Sequence, residues 1–176
     1  MTISEKLAEA IRDVHDFPKP GIVFKDITPI LEMPELCKEI NQALLAPYHN
    51  KIIDAVIGVE SRGFFFGMMM AQSLQVPFIP VRKAGKLPYK TISHAYDLEY
   101  GSAVVEMHID TIKPGWNVII HDDLLATGGT AGAAAALVLK QSARIAGFSF
   151  IVGLSFLDGK EKLLPYDADI QCLIEY

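Results

Sequence analysis

The chain has 176 residues, 51% of them hydrophobic, and a formal net charge of −5. This length and hydrophobic content predict a single domain over residues 1–176 with a sizeable core. The acidic balance argues against a nucleic-acid partner, because such surfaces need clustered lysine and arginine. No apolar stretch reaches membrane-spanning length and the first residues show no signal-peptide core, so we expect a cytoplasmic protein without a membrane partner. Cys37 and Cys172 form no CxxC pair, and we expect both thiols to stay reduced.

Predicted helices and strands alternate along the chain. The first helix is expected to be capped by Ser4 and to carry one apolar stripe, formed by Ile3, Leu7, Ile11 and Val14. A second helix begins at Pro34 and runs toward Ala46. Short apolar runs predict strands at residues 55–59, 78–81, 104–109, 118–120, 149–156 and 170–174. Strands separated by helices predict an α/β fold with a mostly parallel, twisted sheet flanked by helices.

Polar residues directly follow three of the predicted strands. These are Glu60-Ser61-Arg62, Arg82-Lys83 and Asp122-Asp123. In parallel sheets the ligand lies beyond the carboxyl ends of the strands, so we expect the three groups to meet at one edge. The arginines offer planar pairs of donors that suit phosphate oxygens. An anionic ligand is therefore expected there.

Residues 118–130, VIIHDDLLATGGT, predict a buried strand, two carboxylates and a glycine turn that opens a helix over residues 131–139. Glycines in the turn allow positive φ and leave backbone N–H groups unobstructed at the positive end of the helix dipole. The phosphate-loop pattern Gly-x-x-x-x-Gly-Lys-Ser/Thr and the dinucleotide pattern Gly-x-Gly-x-x-Gly are both absent. The segment therefore predicts another kind of phosphate site, suited to a phosphate monoester.

The adjacent carboxylates Asp122 and Asp123 define the chemistry next to this turn. Neighbouring strand residues point to opposite faces, so the pair is poorly placed to chelate one metal ion but can accept hydrogen bonds from sugar hydroxyls. The alternative is that they only cap the following helix. The whole pattern favours a sugar-phosphate site.

Segment 118–130 resembles the phosphoribosyl-diphosphate motif of the type I phosphoribosyltransferases, and the chain as a whole is similar to the adenine branch of that family. Four further stretches carry the resemblance in the right order: DFPKPGIVFKDIT at 16–28, GVESRGFFFG at 58–67, VRKAGKLP at 81–88 and YDLEYG at 96–101. The first and last are specific to the adenine branch. The resemblance implies the type I fold with a small N-terminal hood at about 15–35, a flexible lid loop at about 83–101, and a homodimer.

The resemblance also implies a reaction: transfer of ribose 5-phosphate from phosphoribosyl diphosphate to N9 of adenine. Mg²⁺ would be held mainly by substrate diphosphate and ribose oxygens, with Asp122 and Asp123 acting at most through water. Two alternatives stay open. One is an enzyme that prefers a 6-oxopurine, and the other is a non-enzymatic regulator that senses phosphoribosyl diphosphate, although the acidic charge disfavours the latter.

Site residues follow from the same resemblance. Glu99 would be the general base for the N9 proton, Arg62 would be the catalytic cation, and Tyr100 would lie on the lid. Phosphoribosyl binding is assigned to Asp122, Asp123, Ala126, Thr127, Gly128, Gly129 and Thr130. Diphosphate binding is assigned to Glu60, Ser61, Arg62, Arg82, Lys83 and Lys86, with a non-proline cis peptide between Glu60 and Ser61. Adenine contacts are assigned to the backbone of Val23 and Lys25 and to the side chains of Phe24, Leu124 and Leu154.

Two positions depart from the usual pattern of this family. Lys25 stands where arginine is more common, so a stacked or bidentate side-chain role is not expected there. His121 replaces an aliphatic residue just before the aspartates and is expected to pack at the strand end.

Overall fold

The computed structural model describes residues 1–97 and 101–176. Its helices are α1 (Ile3–Ala10), α2 (Pro34–Leu45), α3 (Gly63–Leu74), α4 (Gly129–Lys140) and α5 (Gly159–Leu163). Its strands are β1 (Arg12–His15), β2 (Val23–Asp26), β3 (Ala55–Val59), β4 (Phe78–Lys83), β5 (Thr91–Asp97), β6 (Ser102–His108), β7 (Asn117–Leu125), β8 (Arg144–Gly153) and β9 (Asp169–Glu175). Short 3₁₀ turns lie at Thr28–Glu32, Ala46–Tyr48, Ser155–Leu157 and Leu164–Tyr166.

Seven strands form the central sheet, in the order β5-β6-β4-β3-β7-β8-β9. Five consecutive strands of the sheet pair in parallel: β4, β3, β7, β8 and β9. Strand β6 runs antiparallel to β4, and β5 runs antiparallel to β6 at the edge. The predicted α/β fold with a mostly parallel sheet is confirmed.

Apolar residues of the central strands are buried on both faces of the sheet. In β7, Val118 and Ile120 join the core cluster that includes α4, whereas Ile119 joins the cluster on the other face, which includes α1, α2 and α3. Alternate strand residues point to opposite faces, which explains why an unbroken β-branched run is stable here. Two packed helical layers thereby fix the carboxyl ends of the strands where the site residues begin.

The N-terminal segment differs from its prediction. Helix α1 begins two residues earlier than a Ser4 cap implies, since Thr2 is its N-cap and exchanges hydrogen bonds with Glu5 in a capping box. The helix ends at Ala10, and Val14 lies instead on β1, which pairs antiparallel with β2. Strand β2 lies within residues 15–35, where the hood was expected, whereas β1 lies mostly before them.

Strand ends also differ from the predictions. Strand β7 extends to Leu125, so both aspartates lie within it, and β8 begins at Arg144 and ends at Gly153. Residues 91–97, which were expected in the lid loop, form strand β5. No helix among the described residues has the length and hydropathy needed to span a bilayer.

His121 is fully buried in β7, in register with Gly58 on β3 and Ser149 on β8. Burial lowers the pKa of its imidazole to about 4, so the ring is neutral at neutral pH. The prediction that His121 packs rather than binds is therefore consistent with its position, although it sits inside the strand and not at its end.

Candidate active site

A cavity of about 620 Å³ opens at the carboxyl ends of the central strands. The segments that follow β3 and β4 and the turn from β7 into α4 form its walls. The lining residues are Glu60, Ser61, Arg62, Lys83, Lys86, Asp122, Asp123, Leu124, Leu125, Ala126, Thr127, Gly128, Gly129, Thr130 and Ala131. The polar groups predicted to meet at one edge of the sheet do meet there, except Arg82.

The turn into α4 has the geometry of an anion site. Gly128 has φ 74° and is the N-cap of α4, and a Cβ on it would lie 2.6 Å from the carbonyl oxygen of Gly159. Only glycine fits both conditions without strain. Because glycine has no side chain to cap the helix, the N–H groups of the first turn are available to an anion. The hydroxyls of Thr127 and Thr130 add donors beside them.

Asp123 is paired with the arginine expected to bind diphosphate. Its Oδ2 accepts a hydrogen bond from Arg62 Nε at 2.5 Å, and the Asp123 side chain is only 5% exposed against 36% for Arg62. The guanidinium carbon also lies 5.0 Å from the ring centre of Phe24. Arg62 therefore bridges Asp123 in the cavity wall and the N-terminal hairpin.

Asp122 has a different environment from its neighbour. Its Oδ1 accepts a hydrogen bond from the backbone N–H of Asp123 at 2.9 Å. Burial, together with the charge of Asp123, raises the pKa of Asp122 well above that of an ordinary carboxyl. The two carboxyls therefore differ in environment: Asp123 is paired with Arg62, whereas Asp122 accepts no hydrogen bond from an arginine among the described residues and has a raised pKa.

Arg82 ties two segments of the cavity wall together. Its Nε and Nη2 donate to Glu60 Oε2 and Oε1 at 3.2 Å and 3.0 Å, and its Nη1 donates to the carbonyl of Lys86 at 2.9 Å. The hydrogen bond from Arg82 lowers the pKa of Glu60, which also accepts from the N–H of Lys83 at 3.0 Å. The peptide between Glu60 and Ser61 is cis, as the resemblance implied.

The expected adenine contacts are only partly gathered. Leu124 lines the cavity. Phe24 does not line it, but its ring packs against the guanidinium group of Arg62, which does. Leu154 lies in a smaller neighbouring cavity of about 200 Å³, which shares Leu125 with the first. The Lys25 ammonium donates to Asp13 Oδ1 at 2.7 Å and lies 3.7 Å from the ring centre of Tyr176.

The match to known proteins is extensive. Residues 26–175 match the family model described as "Phosphoribosyl transferase domain". The adenine phosphoribosyltransferase of Cytophaga hutchinsonii is 50% identical over 181 aligned residues, which cover 100% of each chain. The chain belongs to the adenine phosphoribosyltransferase family.

Solved structures of this family share the fold. The adenine phosphoribosyltransferase of Rhodothermus marinus superposes with a TM-score of 0.94 at 48% identity, covering 99% of this chain and 98% of that one. The enzyme from Saccharomyces cerevisiae, solved with adenine and an imino-altritol bisphosphate, superposes with a TM-score of 0.90 at 40% identity, covering 97% of this chain and 98% of that one.

Some predicted residues stay outside the cavity or outside the described chain. Glu99 and Tyr100 lie in the gap between residues 97 and 101, so their predicted roles remain predictions. Val23 and Lys25 do not line the cavity; Val23 is 41% exposed on β2. Arg82 acts on the cavity wall through Glu60, which the sequence could not indicate.

The prediction also missed a residue that contacts the turn from β7 into α4. The hydroxyl of Tyr96 on β5 lies 3.1 Å from Thr130 Oγ1, and a Cβ on Gly129 would lie 3.2 Å from the Tyr96 ring. Tyr96 opens the YDLEYG stretch, so the motif contained this signal. Strand β5 therefore contacts the turn from β7 into α4 through Tyr96.

Proposed function

We propose that this protein transfers ribose 5-phosphate from phosphoribosyl diphosphate to N9 of adenine, giving AMP and diphosphate. One observation carries the proposal: a single cavity joins a helix N-terminus built from glycines, an aspartate pair and cationic side chains. Its similarity to adenine phosphoribosyltransferases, and the adenine bound to the yeast enzyme, support adenine as the base.

Each part of the substrate would bind to cavity residues of complementary charge and hydrogen-bonding capacity. The 5'-phosphate would bind the N–H groups and hydroxyls at the start of α4, since the helix dipole favours negative charge there. Ribose hydroxyls would bind by donating hydrogen bonds to the side-chain oxygens of Asp122 and Asp123. Diphosphate would bind near Ser61, Arg62, Lys83 and Lys86, with Glu60 and Arg82 holding these residues in place.

The chemical step needs a stabilised leaving group and a positioned base. Departure of diphosphate develops positive character at C1' of the ribose, so fixed cations around the diphosphate lower the barrier. We propose that Glu99 accepts the N9 proton of adenine and that the part of the expected lid that carries Glu99 and Tyr100 excludes water. Phe24, Leu124 and Leu154 would pack against the base, and the backbone of Val23 and Lys25 would select it.

Mg²⁺ is proposed as the cofactor, held mainly by the substrate. Within residues 1–97 and 101–176, no cluster of three or more His, Cys, Asp or Glu side chains could hold a metal ion. Of the carboxylates in the cavity, Glu60 is paired with Arg82 and Asp123 with Arg62. These residues fit an ion that takes most of its oxygen ligands from diphosphate, ribose and water, with Asp122 and Asp123 acting through water.

We also propose a cytoplasmic homodimer. Helix α3 exposes large apolar side chains, with Phe65 44% and Met68 50% exposed, and such a patch suits a subunit contact. Cys37 and Cys172 are free thiols in the structure, which fits a reducing compartment. The subunit contact predicts that Phe65→Glu together with Met68→Glu shifts the protein to monomers in sedimentation.

Diphosphate release tests the proposal directly. Purified protein should release diphosphate from phosphoribosyl diphosphate with adenine and Mg²⁺, and much less with hypoxanthine or guanine. Faster release with a 6-oxopurine would favour that alternative. Tight binding of phosphoribosyl diphosphate with no release for any base would favour the regulator. The names of the relatives favour neither alternative.

A further inference from the structure

Glu106 is a buried carboxylate that the proposed reaction does not use. It lies on β6 and is 7% exposed. Its Oε1 accepts hydrogen bonds from the backbone N–H groups of Gly85 and Leu87, at 3.0 Å and 3.2 Å. Its Oε2 accepts from the hydroxyl of Thr91 at 3.3 Å. All three donors belong to the segment between β4 and the start of β5.

This segment carries the two lysines of the cavity wall, Lys83 and Lys86. We call residues 83–87 the lysine loop. Gly85 at its tip has φ 82°, and the N–H of Lys86 donates to the carbonyl of Lys83 at 3.3 Å, so the loop makes a tight turn. Arg82 holds the loop from the side of Glu60, and Glu106 holds it from the opposite strand.

We propose that Glu106 is a positioning residue that fixes the lysine loop so that Lys83 and Lys86 face the diphosphate group. This inference rests on the proposed function. A lysine ammonium sits on a flexible stem, and its attraction to phosphate falls with distance, so the backbone beneath it must be fixed before substrate arrives. One carboxyl oxygen of Glu106 that accepts from the N–H groups of Gly85 and Leu87, on either side of Lys86, supplies that order.

The contacts also indicate which chemical property of Glu106 the lysine loop requires. A glutamine at this position can keep its carbonyl oxygen on Gly85 and Leu87 while its amide group donates to the Thr91 hydroxyl. An alanine leaves both loop N–H groups without this acceptor. The role therefore depends on an acceptor oxygen at this place more than on negative charge, and Glu106→Gln should rescue what Glu106→Ala loses.

Product inhibition separates the lysine loop from the rest of the site. Inorganic diphosphate should bind against Lys83 and Lys86, whereas AMP should bind at the start of α4 and at the base wall. Glu106→Ala should weaken inhibition by diphosphate about tenfold, the scale of one charge-assisted contact, and leave inhibition by AMP within about twofold. Glu106→Gln should stay within about threefold of the parent protein for both inhibitors.

Two further variants keep the test decisive. Gly85→Ala strains the loop from its exposed tip, where a Cβ meets no atom within 4 Å, and should reproduce the selective loss even where Glu106→Ala fails to fold. Asn41→Ala is the matched control, because it removes a buried polar group that donates to Ser73 Oγ at 2.8 Å between α2 and α3. It should lower stability without changing diphosphate inhibition.

A double-mutant cycle supplies the final comparison. In a Lys83→Ala, Lys86→Ala background, Glu106→Ala should add no further loss of diphosphate inhibition, because Glu106 acts through those lysines. Equal loss of diphosphate and AMP inhibition in Gly85→Ala, or a full additional loss in the double-lysine background, would overturn the inference. A parent protein that releases no diphosphate with adenine would instead overturn the proposed function.

Discussion

Asparagine at position 123 should damage substrate binding far more than asparagine at position 122. Asp123 accepts a hydrogen bond from Arg62 at 2.5 Å, whereas burial and the charge of Asp123 raise the pKa of Asp122. Asparagine resembles a protonated carboxyl in shape and neutrality. Because a raised pKa moves Asp122 toward that neutral form, Asp122→Asn should disturb the site less than Asp123→Asn, which removes the carboxyl that is paired with Arg62 and is proposed to accept from ribose.

The magnitude follows from the contacts that Asp123 makes. A hydrogen bond to a charged group contributes about 1.5–3 kcal/mol, which corresponds to roughly 10- to 100-fold in Kd. Asp123→Asn should weaken phosphoribosyl diphosphate binding by that factor, Asp122→Asn by about threefold or less, and the double variant by slightly more than Asp123→Asn alone. The fold should persist, since the asparagine oxygen can still accept from Arg62, which is 36% exposed to water.

Calorimetric titration with phosphoribosyl diphosphate, beside urea unfolding of each variant, measures both quantities. Wild-type affinity and turnover in the double variant would show that the aspartates are structural caps and would refute the assignment of the ribose site. Equal losses in the two single variants would refute the greater importance of Asp123, the aspartate that is paired with Arg62.

Two other predictions address a proton transfer and a buried imidazole. Glu99→Gln keeps the side-chain shape but removes the base, so single-turnover chemistry should slow by roughly 10²- to 10⁴-fold with a smaller effect on adenine binding; an unchanged rate would exclude Glu99 as the base. His121 has a pKa of about 4 when folded against 6.5 for the free group, so the unfolded chain binds more protons between these values. The free energy of unfolding should then fall by up to about 3 kcal/mol as pH drops from 6.5 to 4. In urea titrations of the His121→Leu variant, the free energy of unfolding should change less steeply with pH. An identical slope would show that His121 does not cause the pH dependence.

The parallel core of the fold could be predicted because its signals are local. Strands such as β3 and β7 are unbroken apolar runs, and α4 follows a stretch of strong helix formers. Strands β1, β2 and β5 were missed because they are short or edge strands with many exposed polar side chains, and only their antiparallel partners stabilise them. Pairing energy of this kind leaves little trace in a single segment.

The location of the site could also be predicted, since strand ends in a parallel sheet converge. The ion pairs within the site could not be predicted. Arg62 and Asp123 are 61 residues apart, and Glu60 and Arg82 are 22 apart, so nothing in their local sequence indicates which carboxylate each arginine binds. The proposed selection of the base by backbone groups on β2 would leave no signal in the sequence, because backbone atoms do not depend on side-chain identity.

A competition between bases measures the proposed activity most directly. Adenine, hypoxanthine and guanine at equal concentration would be supplied with limiting phosphoribosyl diphosphate and Mg²⁺, and the nucleotides formed would be separated and quantified. Adenine offers an amine donor where the other two present a carbonyl acceptor, and a buried mismatch of this kind supports discrimination of about 10⁴-fold. AMP should therefore be the dominant product, whereas comparable amounts of IMP or GMP, or no nucleotide at all, would contradict the proposed reaction.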